Sequence, residues 1–473
     1  MEVKSFKSEF SNAYLRIEGD LCNLNQLKER LTIFNRGLYY QCQDIEGRLK
    51  YWSSRLRRDP DNIELAETVQ KMSLDLSEKK SQIRLKMFEH DEDGLFIPAG
   101  YWNLTESDGH HFNTEIKPFY LDILRPYQKE CVEEVLKYKR ATFVMATGLG
   151  KTITAISILL SAVKSGKRVI FIAPSKTLVD QIVGEVKRFH DDVTGCYSGK
   201  NPKIGSDVLV CTYGSAFKYA DNYDVCIIDE TQHSPVKSIT SMLSNAQKIE
   251  YVYAMTATAF REDGLDLAIH AFTGPVVFER DLDFGISNNY LEHFDVYVIK
   301  IYSKKFRIRQ NWSRASAYKR IMEQESVLGV ISKYIADAIG KKRRVICLFK
   351  TLPPVRALSK KNKHLKVKGA SADFKKPIDD FKANQISCIL ATNKLLSEGV
   401  DVPGADVLIL GSMHSSNIVT YQAIGRVLRK GGKKPIIIDI NLMGYENFDK
   451  SLEKRLKIYQ KHSDSCIVKD IRL

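Results

Sequence analysis

From about residue 140 the chain keeps returning to short, unbroken apolar runs, and that habit decides its fold class. The runs are ATFVMAT, RVIFIAP, DVLVCTY, DVCIIDE and YVYAMTAT, then RVICLFK, HLKVKG, ISCILAT, DVLILG and PIIIDI. They are rich in Val and Ile and separated by helix-length segments. A strand wetted on one face alternates apolar with polar residues; apart from HLKVKG these do not, so they predict strands covered on both faces of a parallel sheet. The two groups predict two doubly wound α/β sheets in tandem.

The break between the groups falls at about residues 280–330, where HFDVYVIKIY predicts a strand and the basic KKFRIRQNWSRASAYKR follows it. This stretch reads as a connector packing on the second sheet. Residues 1–115 lack the alternation. There the turn-like DPDN at 59–62 precedes apolar residues at helical spacing, Leu65, Val69, Met72 and Leu76, so a long helix or helical hairpin is expected. GLFIPAGYWNL reads as an extended return. A length of 473 residues suits about three domains, and the expected division is 1–115, 116–285 and 286–473.

Composition excludes several classes. Hydrophobic residues make up 44% and charged residues 27%, and no run approaches the ~18 apolar residues of a membrane span, so a soluble chain with no membrane partner is expected. The opening MEVKSFKSEF has no apolar signal core, which predicts a mature chain beginning near Met1 and remaining in the cytoplasm. Nine scattered cysteines with no CxxC pair argue against disulfides and zinc. The net charge of +15 suits a polyanion, though solvated lysine faces give the same balance.

Three elements carry chemistry. Ala146–Thr152, ATGLGKT, lies between a strand and a helical run. Glycines there let backbone N–H groups cradle phosphates at a helix N-terminus, Lys151 reaches the β and γ phosphates, and the Thr152 hydroxyl can hold Mg²⁺. Thr147, Gly148 and Gly150 belong to this cradle; Met145 stands where the full GxxxxGK[ST] pattern has its first glycine. Asp229-Glu230 follows the strand DVCII, where one carboxylate can hold the metal and the next activate water. Taken alone the pair reads equally as a helix N-cap. Far downstream, Gln422-Ala-Ile-Gly-Arg426-Val-Leu-Arg429 sets two arginines three apart, on one face if helical, where guanidinium forks can meet a γ-phosphate. If both reach that phosphate, the nucleotide lies between two lobes.

In this order and with these neighbours, the three elements resemble the signature motifs of superfamily 2 helicases and translocases over residues 118–440. The resemblance implies two RecA-like domains plus a smaller N-terminal domain, ATP and Mg²⁺ as cofactors, and nucleic acid as partner. It implies adenine reading by Gln128 within Arg125–Gln128, and catalysis by Lys151, Asp229, Glu230, Gln422, Arg426 and Arg429. Strand-tracking contacts are implied near Ser175, Thr212 and Thr392, a ribose contact at Asp401, and coupling through Thr256, Thr258 and Gln232. Relatives often carry Asp-Glu-x-His where this chain has DETQH, so Gln232 is expected in the histidine's place.

The runs TATAFRED and LRPYQ resemble the branch holding type III restriction motors, XPB-like enzymes and phage UvsW-type helicases, and QAIGRVLRKGG followed by PIIIDI and a short basic tail is most similar to the UvsW type. That type implies forked or branched DNA as substrate, branch migration, a monomer and the cytoplasm of a phage-infected bacterium. An RNA helicase of the same architecture and a DNA-tracking subunit of a restriction system are the rival enzymes. A nucleic-acid scaffold with a dead ATP fold is the rival of another class. Lys341–Arg344 and the lysines from Lys360 to Lys368 are further candidates for phosphate contact, and Trp52, Trp102 and Trp312 for base stacking.

Overall fold

The computed structural model describes residues 2–4, 14–18, 31–34, 36–57, 62–81, 84–86, 89–90, 95–98, 112–203, 205–231, 236–258, 266–303, 313–365, 367–369, 375–393, 402 and 404–473. They divide into two compact units, Met1–Val144 with Thr152–Glu279, and Met145–Lys151 with Arg280–Leu473. Among the described residues no helix is long and apolar enough to cross a membrane.

The first unit opens with strands β1 (Glu2–Lys4), β2 (Tyr14–Glu18) and β3 (Thr32–Phe34), helices α1 (Arg36–Leu56) and α2 (Ile63–Ser81), and strands β4 (Arg84–Lys86), β5 (Glu89–His90) and β6 (Leu95–Pro98). The strands form an antiparallel sheet in the order β1-β2-β6-β5 and a separate β3-β4 pair. The helices form the expected hairpin. Cys42, Ile45 and Leu76 are buried at its seam with Leu49 and Met72 against them, and Lys80 pairs with Glu46 at 2.7 Å. Asn62 begins α2 by accepting the Leu65 N–H at 3.0 Å, while the rest of DPDN lies outside the described residues. Leu31 is buried in the core cluster that contains Ile170 and Leu209.

That core belongs to a seven-stranded sheet. After α3 (Pro126–Val135) come β7 (Arg140–Met145), α4 (Lys151–Lys164), β8 (Val169–Ala173), α5 (Lys176–Val186), β9 (Val193–Cys196), β10 (Val208–Thr212), α6 (Tyr213–Ala216), β11 (Val225–Ile228), α7 (Val236–Asn245), β12 (Tyr251–Thr256), α8 (Asp266–Thr273) and β13 (Val276–Arg280). The order is β13-β7-β12-β11-β8-β10-β9, and β7, β8, β11 and β12 are buried throughout, as unbroken apolar runs require. Gly274, at φ +85°, lets the chain pass β7 so closely that an added Cβ would stand 2.2 Å from the Arg140 carbonyl oxygen. Gly274→Ala should lower the thermal midpoint of the whole chain. The left-handed backbone alone costs about 1–2 kcal/mol, and relieving the clash must move backbone; an unchanged midpoint would refute this.

The second sheet is built from β14 (Asp295–Tyr302), β15 (Val345–Phe349), β16 (Val367–Gly369), β17 (Cys388–Thr392), β18 (Val407–Leu410), β19 (Ile436–Leu442) and β20 (Ser465–Arg472), in the order β16-β17-β15-β18-β19-β14-β20. Its pairings are parallel. Between the strands run α9 (Leu282–Ser287, ahead of β14), α10 (Arg314–Met322), α11 (Glu325–Gly340), α12 (Leu352–Lys361), α13 (Lys375–Lys382), α14 (Asn417–Gly425) and α15 (Glu446–His462). Two expectations change here. HFDVYVIKIY forms the expected strand but is no connector: β14 lies inside the sheet, hydrogen-bonded to β19 on one side and β20 on the other. The short basic tail is a seventeen-residue helix and a closing strand, whose mostly exposed, mixed-polarity sequence follows from its place at a sheet edge.

Candidate nucleotide and nucleic-acid site

Strands β7, β12, β11, β8 and β10 run parallel, so the segments that follow them leave one edge of the sheet, where ligands bind in open α/β folds. The glycine loop follows β7. Gly148 and Gly150 hold φ of +95° and +83°, a conformation that turns N–H groups inward and that glycine adopts without strain. Lys151 and Thr152 are the first residues of α4, fourteen residues long, so an anion cradled by the loop would meet a helix N-terminus. The cradle thus fits a polyphosphate.

Asp229 is buried just past β11. Glu230 beside it holds φ +51°, a left-handed backbone that costs a non-glycine residue about 1–3 kcal/mol. Neighbouring segments fix this pair in place. The Asp229 N–H donates to the Ile172 carbonyl at 2.9 Å, and the Tyr213 hydroxyl donates to the Asp229 carbonyl at 2.6 Å. Thr231 Oγ1 donates to the Met255 carbonyl at 3.4 Å, tying the acidic segment to the end of β12. There Thr256 and Thr258 are buried and bonded to each other: Thr256 Oγ1 donates to the Thr258 carbonyl at 2.9 Å and accepts the Thr258 N–H at 3.3 Å. The acidic pair is therefore held from the β10 end and the β12 end at once. Tyr213 and Thr231 were not singled out from sequence, although Tyr213 directly follows Thr212.

The donors suit Mg²⁺, which takes one or two hard protein oxygens and completes its shell with substrate phosphate and water. Thr152 and Asp229 offer that set, and among the described residues no cluster of three or more His, Cys, Asp or Glu could form an all-protein cage.

Other candidates have local duties. Gln128 is buried in α3, its Oε1 accepting the Arg125 N–H at 2.8 Å, while Arg125 Nη1 donates to the Tyr127 hydroxyl at 3.2 Å. Ser175 caps α5 by accepting the Leu178 N–H at 3.2 Å. Thr212 at the end of β10 shares a hydroxyl contact of 3.3 Å with Ser215. Gln232, Asp401, Trp102 and Trp312 lie outside the described residues.

In the second unit, Gln422 is buried on α14, and Thr392 ends β17, paired with Phe349. The expectation that Arg426 and Arg429 share a helix face is corrected. Helix α14 ends at Gly425 with Arg426 as its cap. The next N–H groups, of Arg426 and Val427, bond three residues back, which tightens the turn. The Leu428 carbonyl then accepts the Glu292 N–H at 2.8 Å and Arg429 bridges to Leu291. Loop residue Thr147 also belongs to this unit, and a Cβ at Gly425 would stand 2.5 Å from Thr147 Cβ. Only glycine permits that approach, one residue before Arg426.

Beneath α14 lies a polar network that sequence did not reveal. Arg455 and Asp439 are fully buried, paired at 2.7 Å, and the Tyr459 hydroxyl donates to Asp439 Oδ2 at 2.9 Å. Arg455 also donates to Asn441 Oδ1 and to the His414 carbonyl. His414 contacts Ser412 Oγ through Nδ1 at 2.7 Å and Thr420 Oγ1 through Nε2 at 3.0 Å. The Thr420 hydroxyl proton goes to the Ser416 carbonyl, so Nε2–H is the histidine's donor and Nδ1 accepts from Ser412. Desolvation, with Arg455 and Arg314 nearby, pushes the His414 pKa down to about 3, and the ring stays neutral at physiological pH. The signal available in sequence was Asp439 itself, an acid inside the apolar run PIIIDI that burial obliges to find a partner.

In the basic run before β15, Lys341 and Lys342 are exposed, while Arg343 and Arg344 have local partners. Arg343 Nη1 donates to the Lys434 carbonyl at 2.7 Å, and the Arg344 guanidinium lies 3.9 Å from the Phe381 ring centroid. Lys361 pairs with Glu325.

The family described as type III restriction enzyme, res subunit, matches residues 122–261, and the helicase conserved C-terminal domain matches residues 331–431. The DNA 3'-5' translocase XPB2 of Sulfurisphaera tokodaii is 23% identical, over 70% of this chain and 84% of its own length. Among solved structures, the ATP-dependent Type ISP restriction-modification enzyme LlaBIII bound to DNA has a TM-score of 0.54 at 17% identity, over 76% of this chain and 32% of that one. T4 UvsW covers 100% of both chains with a TM-score of 0.43 and 15% identity.

Proposed function

The chain belongs to the superfamily 2 helicases, ATP-dependent enzymes built on two parallel-sheet domains, and from that premise we propose that it is a DNA translocase working on forked or branched DNA. In this reading Gly148, Gly150 and Thr147 cradle the triphosphate of ATP, Lys151 binds its β and γ phosphates, and Gln128 with Arg125 reads the adenine. Thr152 and Asp229 would hold Mg²⁺, which when bound neutralises phosphate charge. Glu230 orients the attacking water and takes its proton, while Gln422, Arg426 and Arg429 stabilise the charge that grows on the transferring group. Ser175, Thr212 and Thr392 track the strand.

The observation that carries the reading is the hydrogen bond from Tyr213 to the Asp229 carbonyl. It joins the segment proposed to touch nucleic acid to the one proposed to cleave ATP, so a strand that moves the first disturbs the second. The net charge of +15 suits a polyanionic partner, and support for DNA comes from the relative named a DNA translocase.

The test compares ATP turnover and unwinding on forks, four-way junctions, blunt duplexes and RNA duplexes. Forks and junctions should stimulate most; preference for RNA, or turnover indifferent to every polymer, would sink the proposal. Tyr213→Phe, which removes one hydrogen bond worth about 1 kcal/mol, should reduce the DNA-stimulated rate roughly fivefold with the KM for ATP unchanged. An unaltered stimulated rate would disconnect that bond from coupling.

A further inference from the structure

Helix α1 buries one side against α2 through Cys42, Ile45 and Leu49, and the nucleotide chemistry proposed above does not use its other side. From Gly47 to Arg57 that helix and its end carry Arg48, Lys50, Arg55 and Arg57 and no acidic residue. All four are exposed. A basic helix face alone is commonly just solvated. The aromatic residues set this one apart: Tyr51 is 58% exposed, three residues after Arg48 and four before Arg55, so the three share one face of the helix. The half-buried Trp52 meets Tyr51 edge-on, with centroids 5.2 Å apart and planes at 77°. The Arg55 guanidinium lies 5.5 Å from the Trp52 centroid. Tyr51 is thus braced by an aromatic neighbour and flanked by guanidinium groups, an arrangement that offers a stacking surface between two phosphate-binding cations.

We propose that this face of α1 binds a single-stranded arm of nucleic acid, with a base stacked on Tyr51 and the backbone phosphates held by Arg48 and Arg55. Charge complementarity selects this occupant: a polyanion with flat, apolar faces matches an exposed ring that shares its helix face with two guanidinium groups. The proposal rests on the reading of the chain as a nucleic-acid motor and deepens it. It gives the N-terminal part a means of distinguishing a fork with free arms from a blunt duplex.

The experiment uses the full chain and a fluorescein-labelled DNA fork with two single-stranded arms, beside a blunt duplex of the same sequence. Binding is followed by anisotropy as salt is raised. Tyr51→Ala should weaken fork binding roughly tenfold or more, since stacking on an aromatic side chain contributes substantially per base. The double variant Arg48→Gln, Arg55→Gln should flatten the slope of log K against log salt by about 1.4, at about 0.7 for each single-strand phosphate that is no longer neutralised. Blunt-duplex affinity should change far less. Because all three side chains are exposed, the variants should keep the wild-type circular dichroism and DNA-independent ATP turnover.

Wild-type fork affinity and salt slope in both variants, with the unaltered chain binding forks, would overturn this proposal and leave the motor reading intact. Failure of the unaltered chain to bind any fork would overturn both. Sedimentation supplies one further check: self-association abolished by Tyr51→Ala, with fork binding untouched, would assign the face to a second copy of the chain and end the proposal.

Discussion

Lys151→Ala reduces ATP turnover by about a hundred- to a thousandfold or more, the scale seen when a preorganised charge is removed from a transition state, while the chain stays folded. The lysine is the first residue of a fourteen-residue helix, directly after a glycine at φ +83°. Its ammonium is the strongest positive charge the loop can bring to a phosphate, and the helix N-terminus adds only partial charge. Alanine retains helix propensity and leaves the left-handed glycines undisturbed, so the thermal midpoint should hold within a few degrees. Phosphate release with saturating DNA checks the first part and a melting curve the second. Turnover near that of the unaltered chain, at equal folding, would remove the loop from the site.

Arg455→Ala destabilises the second unit by about 3–5 kcal/mol, the cost of leaving one member of a buried ion pair without its partner. Asp439 would lose its cationic partner and keep the Tyr459 hydroxyl, and the Asn441 side chain and His414 carbonyl would be deprived of a donor. Replacing both charges, with Arg455→Met and Asp439→Leu, should recover most of that stability, because well-packed apolar groups can match a buried pair. Denaturant titration read from an optical probe in the second unit separates the cases. Equal stability of the single and double variants would mean that the pair does not act as a unit.

All ten runs became strands, and nine of them lie inside the sheets, where burial on both faces leaves an uninterrupted apolar run. Of the edge strands of the two large sheets, β16 was among the runs and β9, β13 and β20 were not. β20 is wetted over most of its length and carries lysine, aspartate and arginine among its apolar residues, so neither periodicity nor composition marks it. The candidate site divides similarly. Glycines in the loop, the acid pair and the arginines announce themselves by spacing. The brackets that hold the acid pair, Tyr213 on Asp229 and Thr231 on Met255, join residues 16 and 24 apart whose identities are unremarkable alone. The two-arginine helix face failed because a short-range pattern was extended across a turn fixed by Glu292, more than a hundred residues upstream.

The placement of β14 bears on how the polypeptide matures. This strand is made well before its outer neighbour: Asp295 aligns with Ser465, 170 residues later. While a ribosome is still adding those residues, β14 has a bare margin of backbone N–H and C=O groups, the kind of template that recruits foreign strands. Pairings so distant along the chain also close slowly. Production yield at high expression should therefore depend on how quickly the residues after β14 are delivered, and chaperones that cover nascent β-edges should matter more for this half than for the other.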